Sequence, residues 1–305
     1  MNVLLTGASG FLGSRIYAEL SNYHVVTTLG RTPVAQRHIT GDLTKRLPSL
    51  AHASFDYVVN AAGKAHSVPR TAAERADYER LNVQGVCRLL AALECMPTRP
   101  KSFVHISTVL VYGRSKGLLL DEATPLAATD VYGSSKVRAE EAVREWGYRT
   151  GGSTTILRLP VVVAEQPNGN VATLMNAIRR GRYVRIGDGS ARRSMVRADD
   201  VAAIIDRAAN VGGIFNLTDG YSPGVAELET ALAGYVGRDT PIKSMPLLLA
   251  RAIATVGDGI NALVGRRFPL DTLALQKLTE SLTFSDDRAR QQLNWSPRPV
   301  LDLFQ

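Results

Sequence analysis

The sequence predicts an α/β fold, a doubly wound parallel sheet with a smaller, mixed C-terminal part. Three observations predict it. Apolar β-rich runs alternate with helical patterns as far as Asp219, three glycines follow the first of those runs, and beyond Asp219 the alternation becomes irregular. With 305 residues and 45% hydrophobic content, the chain can bury the core of one large domain or two unequal ones.

The strand candidates are, in order, "NVLLTG" from Asn2, "HVVTTL" from His24, "RHITGD" from Arg37, "YVVNAAG" from Tyr57, "FVHIST" from Phe103, "TTILRLP" from Thr154 and "GGIFNLT" from Gly212. Between them, "GSRIYAELS", "YERLNVQGVCRLLAALE", "YGSSKVRAEEAVREW" and "ADDVAAIIDRAAN" repeat apolar residues at three- and four-residue spacing, as helices do. That order places helices on both faces of a parallel sheet. Beyond Asp219, "VAELETALAGYVG" and "PLLLARAIATVGDGI" read as helices and "SLTFS" as a short strand.

Composition removes several classes of function. The net charge of +8 is spread over the helical patterns, with short clusters such as "RRGR" and "ARRS" and no aromatic-laced basic stripe, so no nucleic-acid partner is expected. The apolar segment from Pro246 contains Arg251, Asp258 and Asn261, which makes it a poor bilayer span. With no secretory pattern near Met1, the expectation is a cytoplasmic protein with no membrane partner. Cys87 and Cys95 share one helical pattern and lack metal-ligand spacing, so both are expected in or near the core, with no metal bound. His24, His38, His52 and His66 recur at a constant spacing, but their flanks differ and no repeat is read from them.

The glycines are the first functional signal. Gly7-x-x-Gly10-x-x-Gly13 stands between the first strand and the first helix, where a bare backbone lets a pyrophosphate approach and the helix N-terminus favours its charge. Its bland reading is a tight turn against a sheet; the strands and helices that follow favour a dinucleotide and a Rossmann-type sheet. The expected division is a dinucleotide-binding domain of residues 1–162 and 194–220, with residues 163–193 and 221–305 forming the substrate-binding part. The second signal is "VYGSSK", which sets Tyr132 and Lys136 four apart on one helix face, with Asp130 as cap and Gly147 as the expected end. A neighbouring ammonium would favour the tyrosinate and bring Tyr132 nearer neutral pH. Thr108 falls at the end of the fifth strand, where ligands gather in such sheets.

With the glycine turn, "NAAG", "ISTVLVYG" and "YGSSK" in this order, the sequence resembles the extended short-chain dehydrogenase/reductases, in particular their nucleotide-sugar epimerase, dehydratase and reductase branch. The likeness runs on through "NVQG", "LRLPVVV", "RRSMVRADDVA" and the ending "KLTESLTFSDDRARQQLNWSP". It implies a catalytic set of Thr108, Tyr132 and Lys136, with Tyr132 exchanging a proton, Thr108 polarising the substrate oxygen and Lys136 holding the nicotinamide ribose. It implies cofactor contacts at Gly7, Ser9, Gly10, Phe11, Leu12 and Gly13, at Gly30 and Arg31, at Asp42 and Leu43 beside the adenine, and at Ala61, Ala62 and Gly63. Asn82 matches an architectural asparagine. Asn170 and Arg193 match residues that contact a nucleotide diphosphate, and a homodimer through helices of the cofactor domain is implied as well.

Two departures narrow the reaction. The 4,6-dehydratases of this family carry an acidic pair after the threonine; here Val109 and Leu110 stand there, and aliphatic side chains transfer no protons. NAD-preferring members place an acid near Gly30 for the adenosine ribose; Gly30 leaves room for a 2′-phosphate and Arg31 can pair with it, which favours NADP(H) over NAD(H). The expected function is therefore reduction of a keto group, foremost C4 of a nucleotide-linked keto-sugar. The alternatives are a nucleotide-sugar 4-epimerase with retained NAD, a reductase of a small non-nucleotide ketone, and a non-catalytic NADP-binding regulator.

Overall fold

The seven predicted strands pair into one sheet. In the computed structural model, which describes residues 1–45, 50–65, 69, 71–238, 241–264 and 271–305 apart from the side chains of 262–264, His66 lies outside the described residues. The strands are β1 (Asn2–Thr6), β2 (Val25–Gly30), β3 (His38–Thr40), β4 (Tyr57–Asn60), β5 (Ser102–Thr108), β6 (Gly117–Leu120), β7 (Ser153–Leu159), β8 (Val161–Val163), β9 (Val184–Ile186), β10 (Met195–Arg197), β11 (Gly213–Asn216), β12 (Lys243–Met245) and β13 (Leu282–Phe284). The helices are α1 (Phe11–Leu20), α2 (Ala72–Tyr78), α3 (Gly85–Glu94), α4 (Val131–Thr150), α5 (Gly169–Arg179), α6 (Ala198–Val211), α7 (Val225–Tyr235), α8 (Leu247–Val264), α9 (Thr272–Thr279) and α10 (Asp287–Leu293).

The large sheet is parallel throughout, in the order β11-β7-β5-β4-β1-β2-β3. Strand order reverses between β1 and β4, the point where a crevice opens at the carboxyl ends of such sheets. Alternation along β1 divides the core: Val3 and Leu5 face α1, α6 and α10 through Ile16, Ile205 and Leu293, while Leu4 faces α3 and α4 through Leu89, Leu93, Val143 and Trp146. Three parallel two-stranded pairs, β8 with β10, β9 with β12 and β6 with β13, make the smaller, irregular part.

Two details differ from expectation. Gly147 does not end α4; it lies inside the helix, where an added Cβ would meet Thr154 Cγ2 at 2.7 Å, so its role is close packing. Gly151, with φ +71°, is the left-handed cap that ends the helix. Cys87 and Cys95 are exposed, because α3 turns Val86, Leu89, Leu90 and Leu93 inward and leaves them on the other face. The last segment folds back on the sheet: Trp295 Nε1 donates to the Thr218 carbonyl at 2.9 Å, and the backbone N–H groups of Arg298 and Val300 donate to Asp200 and Asp219.

Candidate active site

A groove of about 240 Å³ lies at the strand-order reversal. Its floor is the turn after β1. Gly7 has φ +76°, and a Cβ there would meet the Ala61 carbonyl carbon at 2.5 Å. Gly13 presses α1 against that turn so closely that a Cβ would fall 2.0 Å from the Gly7 oxygen. Gly7, Ser9, Gly10, Gly30, Arg31, Asp42, Leu43, Ala61, Ala62 and Gly63, all expected, line the groove together. Four expected cofactor contacts do not, Lys136 among them. Leu12 packs toward the core, Gly13 is buried beneath the turn, and Phe11 lies under the Arg15 guanidinium at 5.6 Å.

Sequence reasoning passed over His38, which also lines the groove. Its ring is held by Thr28 Oγ1 at 2.8 Å and the Gly30 carbonyl at 3.2 Å, so it shapes the wall beside Gly30. Asp42 accepts the Thr44 hydroxyl and backbone N–H on one oxygen, and the hydroxyl bond holds its carboxyl below the usual range. Arg31 makes no hydrogen bond among the described residues and acts on Asp42 only at longer range.

Asp130 caps α4 by accepting the Gly133 N–H at 2.9 Å, which fixes the turn that carries Tyr132 and Lys136. Burial pushes the Tyr132 phenol up to about 12, against the nearby Thr108 side chain, which pulls it down and whose Oγ1 accepts the Leu110 N–H at 3.3 Å. The expectation that Lys136 draws Tyr132 toward neutrality is therefore not met. Lys136 Nζ donates instead to the Ile106 carbonyl at 2.8 Å, and burial brings its ammonium down to about 8, opposed by Glu140. A Cβ on Gly63 would sit 3.4 Å from Lys136 Nζ, so the lysine borders the groove.

Beneath these groups lies a buried network that sequence reasoning missed. Glu140 accepts from Ser107 Oγ at 2.5 Å and from Arg158 Nη2 at 2.7 Å, and Arg158 also donates to Tyr112 Oη at 3.0 Å. Glu140 stands four after Lys136, which was the available signal. Asn82 sits in a π-helical turn between α2 and α3. It accepts the Lys64 N–H at 2.7 Å and donates to Ser135 Oγ at 2.9 Å, and Ser135 donates to the Tyr132 carbonyl, so the loop after β4 is tied to the first turn of α4. His105, deep in the sheet, accepts from Asn60 Nδ2 at 3.1 Å; burial drives its pKa well down, consistent with a neutral ring.

The two expected diphosphate residues lie apart from the groove lining. Asn170 is exposed in the first turn of α5. Arg193 is partly buried beside β13 and donates to the Lys277 carbonyl of α9; burial lowers its pKa and Glu280 opposes that.

The sequence pattern of the NAD dependent epimerase/dehydratase family matches residues 3–217. An Escherichia coli O157:H7 protein, N-acetyl-alpha-D-glucosaminyl-diphospho-ditrans,octacis-undecaprenol 4-epimerase, is 28% identical over 93% of this chain and 87% of its own. GDP-6-deoxy-D-mannose reductase of Pseudomonas aeruginosa is 26% identical over 82% and 85%. Among solved structures, UDP-glucose 4-epimerase from Thermotoga maritima with UDP-glucose superposes with a TM-score of 0.75 at 22% identity, covering 100% of this chain and 97% of that one. The Pseudomonas aeruginosa RMD complexed with NADPH gives 0.71 at 21% identity over 99% and 96%, and UDP-glucuronic acid 4-epimerase from Bacillus cereus with NAD gives 0.74 at 19% over 100% and 96%.

Proposed function

Because the chain belongs to the NAD dependent epimerase/dehydratase family, we propose that it is an NAD(P)-dependent 4-epimerase of a diphosphate-linked sugar. The observation that carries the reading is that Thr108 lies near enough to Tyr132 to act on its phenol, while Lys136, on the same helix, borders a glycine-floored groove. The groove suits a dinucleotide, since Gly7, Gly13 and Gly63 keep Cβ atoms out of the space that a pyrophosphate and ribose need. Gly7 to Gly10, Ala61 to Gly63 and Lys136 would hold the cofactor, which supplies removal and return of hydride at C4 when bound.

The residues of this chain handle the proton. Tyr132 Oη takes it from the C4 oxygen and gives it back, and Thr108 bonds to the same oxygen and keeps it near the phenol in both orientations of the sugar. Arg193 and Asn170 serve the diphosphate. Val109 is buried in the apolar cluster around Tyr112, and Leu110 has no proton to give, so the loss of water that a 4,6-dehydratase performs is left out.

The expectation from sequence was a net reductase. Epimerases among the similar proteins favour the 4-epimerase instead. Reduction of a 4-keto-sugar with NADPH stays as the second reading, supported by Gly30 and Arg31 at the ribose end of the groove. Denaturing the purified protein identifies any retained dinucleotide, and the emptied protein is then titrated with NADPH and NADH. Tightly held NAD with interconversion of C4 epimers of a UDP-sugar or a polyprenyl-diphosphate sugar supports the epimerase. Freely exchanging NADPH consumed in step with a keto-sugar replaces it with the reductase.

A further inference from the structure

Helix α8 turns large apolar residues to water, against the usual pattern of a surface helix. Beyond Leu247, which packs against the same cluster, its most buried positions are small, Ala250, Ala254 and Gly257, with the alanines against Leu275 of α9. Its outer face carries large residues: Leu248 is 78% exposed, Leu249 53% and Val256 62%. Leu248, Ala252 and Val256 follow at four-residue spacing, so they form one stripe. Helix α9 adds exposed Leu273 and Leu278. Strand β6 adds Leu118 and Leu119, about 70% exposed, and Leu119 is held at φ +50°, where a leucine is strained. Gly117 N–H donates to the Ser281 carbonyl at 3.0 Å, so the two β6 leucines lie beside the chain as it leaves α9.

Cations accompany each of these leucine groups. Lys243 and Arg251 flank the start of α8, Lys277 lies on α9, and Arg114 and Lys116 precede the β6 leucines; all five are exposed, and none makes a side-chain hydrogen bond or ion pair among the described residues. The nearby carboxylates are largely occupied. Asp258 accepts from Thr272, Asp271 caps α9 through the Ala274 N–H, Asp121 holds its own turn, and Glu280 acts on Arg193.

We propose that α8, α9 and β6 form a face that docks on an anionic phospholipid bilayer and lies on it without crossing. Leucines enter the headgroup boundary while unpaired cations meet lipid charge, the chemistry of interfacial helices. No helix among the described residues is long and apolar enough to span a membrane. A second copy of the chain is a poor occupant, since a twofold contact would set these cations against each other. The proposal departs from the expectation of no membrane partner, which the sequence supported only against spanning. It is independent of the reaction assigned above. Where that reading also holds, the Arg193 bond to the Lys277 carbonyl joins the diphosphate residue to the docked helix.

The test is flotation of the full chain with phosphatidylcholine vesicles, with and without phosphatidylglycerol, for wild type, Leu248→Glu/Leu249→Glu and Lys243→Glu/Arg251→Glu. The expected result is binding that requires phosphatidylglycerol, weakened about tenfold or more in both variants, with circular dichroism and dinucleotide affinity unchanged. Failure of wild type to float, or equal flotation of folded variants, overturns the proposal. So does a wild-type dimer in solution that Leu248→Glu/Leu249→Glu dissociates, because the face is then a contact between copies.

Discussion

Lys136 gives its ammonium to the backbone carbonyl of Ile106 at 2.8 Å, and not to Tyr132, four residues before it on the same helix. The two residues named most easily from the sequence thus share a helix face without a bond between them, and each titrates by its own surroundings.

Lys136 is brought down to about 8 by burial, so between that value and the ordinary lysine range the unfolded chain binds more protons than the folded one. Stability is expected to rise with pH across that window. Lys136→Met removes the buried ammonium and is expected to retain or gain stability at pH 7, by up to about 3 kcal/mol, while turnover falls about a hundredfold or more. Denaturant unfolding at pH 7 and pH 9.5, with activity assays beside it, checks both parts. The wild-type kcat/KM is expected to fall on the basic side around pH 8 as the ammonium is lost.

Burial pushes Tyr132 up to about 12, which suits giving a proton and opposes taking one, so the epimerase's first step, uptake of the C4 proton, requires the phenol to be lowered when the site is filled. Tyr132→Phe is expected to lower kcat by about 10² to 10⁴ with dinucleotide affinity retained. Isothermal titration and steady-state rates on the same preparation separate the two effects, and unchanged turnover would remove Tyr132 from its role.

Gly13→Ala places a methyl group 2.0 Å from the Gly7 oxygen, and that atom is backbone. The turn has to move, so about 2 kcal/mol of stability and tenfold or more in dinucleotide affinity are expected to go together. Gly234→Ala, in open space on α7, is the control and should cost neither.

Glu140 and Arg158 are an almost fully buried pair at 2.7 Å. Removing Glu140 alone strands a guanidinium and should cost about 3–5 kcal/mol, whereas Glu140→Gln with Arg158→Met should cost less than either single change. A double-mutant cycle by urea unfolding measures the difference.

At the ribose end, Arg31→Ala is expected to weaken a 2′-phosphorylated dinucleotide by about tenfold and leave NADH affinity within about twofold. Paired fluorescence titrations with NADPH and NADH read this directly. An equal effect on both would mean that Arg31 does not discriminate between them.

The large sheet was legible because each of its strands is a run of β-branched and apolar residues between helical periods, and the glycine turn and the α4 pair lie within such regular elements. Short pairs such as β9 with β12 were not, since three residues carry no periodicity. The π-helical turn at Asn82 escaped for a different reason: a helix with one extra residue per turn keeps nearly the same apolar spacing. Of the site, the glycine turn was readable from spacing and the rest of the groove lining from the family resemblance, while Glu140, Arg158 and His38 owe their places to neighbours distant in sequence. The large residues that α8 turns outward read as part of an ordinary apolar helix until its packing was seen.

The face of the sheet that carries Val3 and Leu5 is closed partly by Ala289, Leu293 and Trp295. A ribosome makes these residues after the whole parallel sheet has emerged. During synthesis, then, the cofactor groove can be assembled while one side of its supporting core is still open to water, and that side is sealed only when α10 arrives.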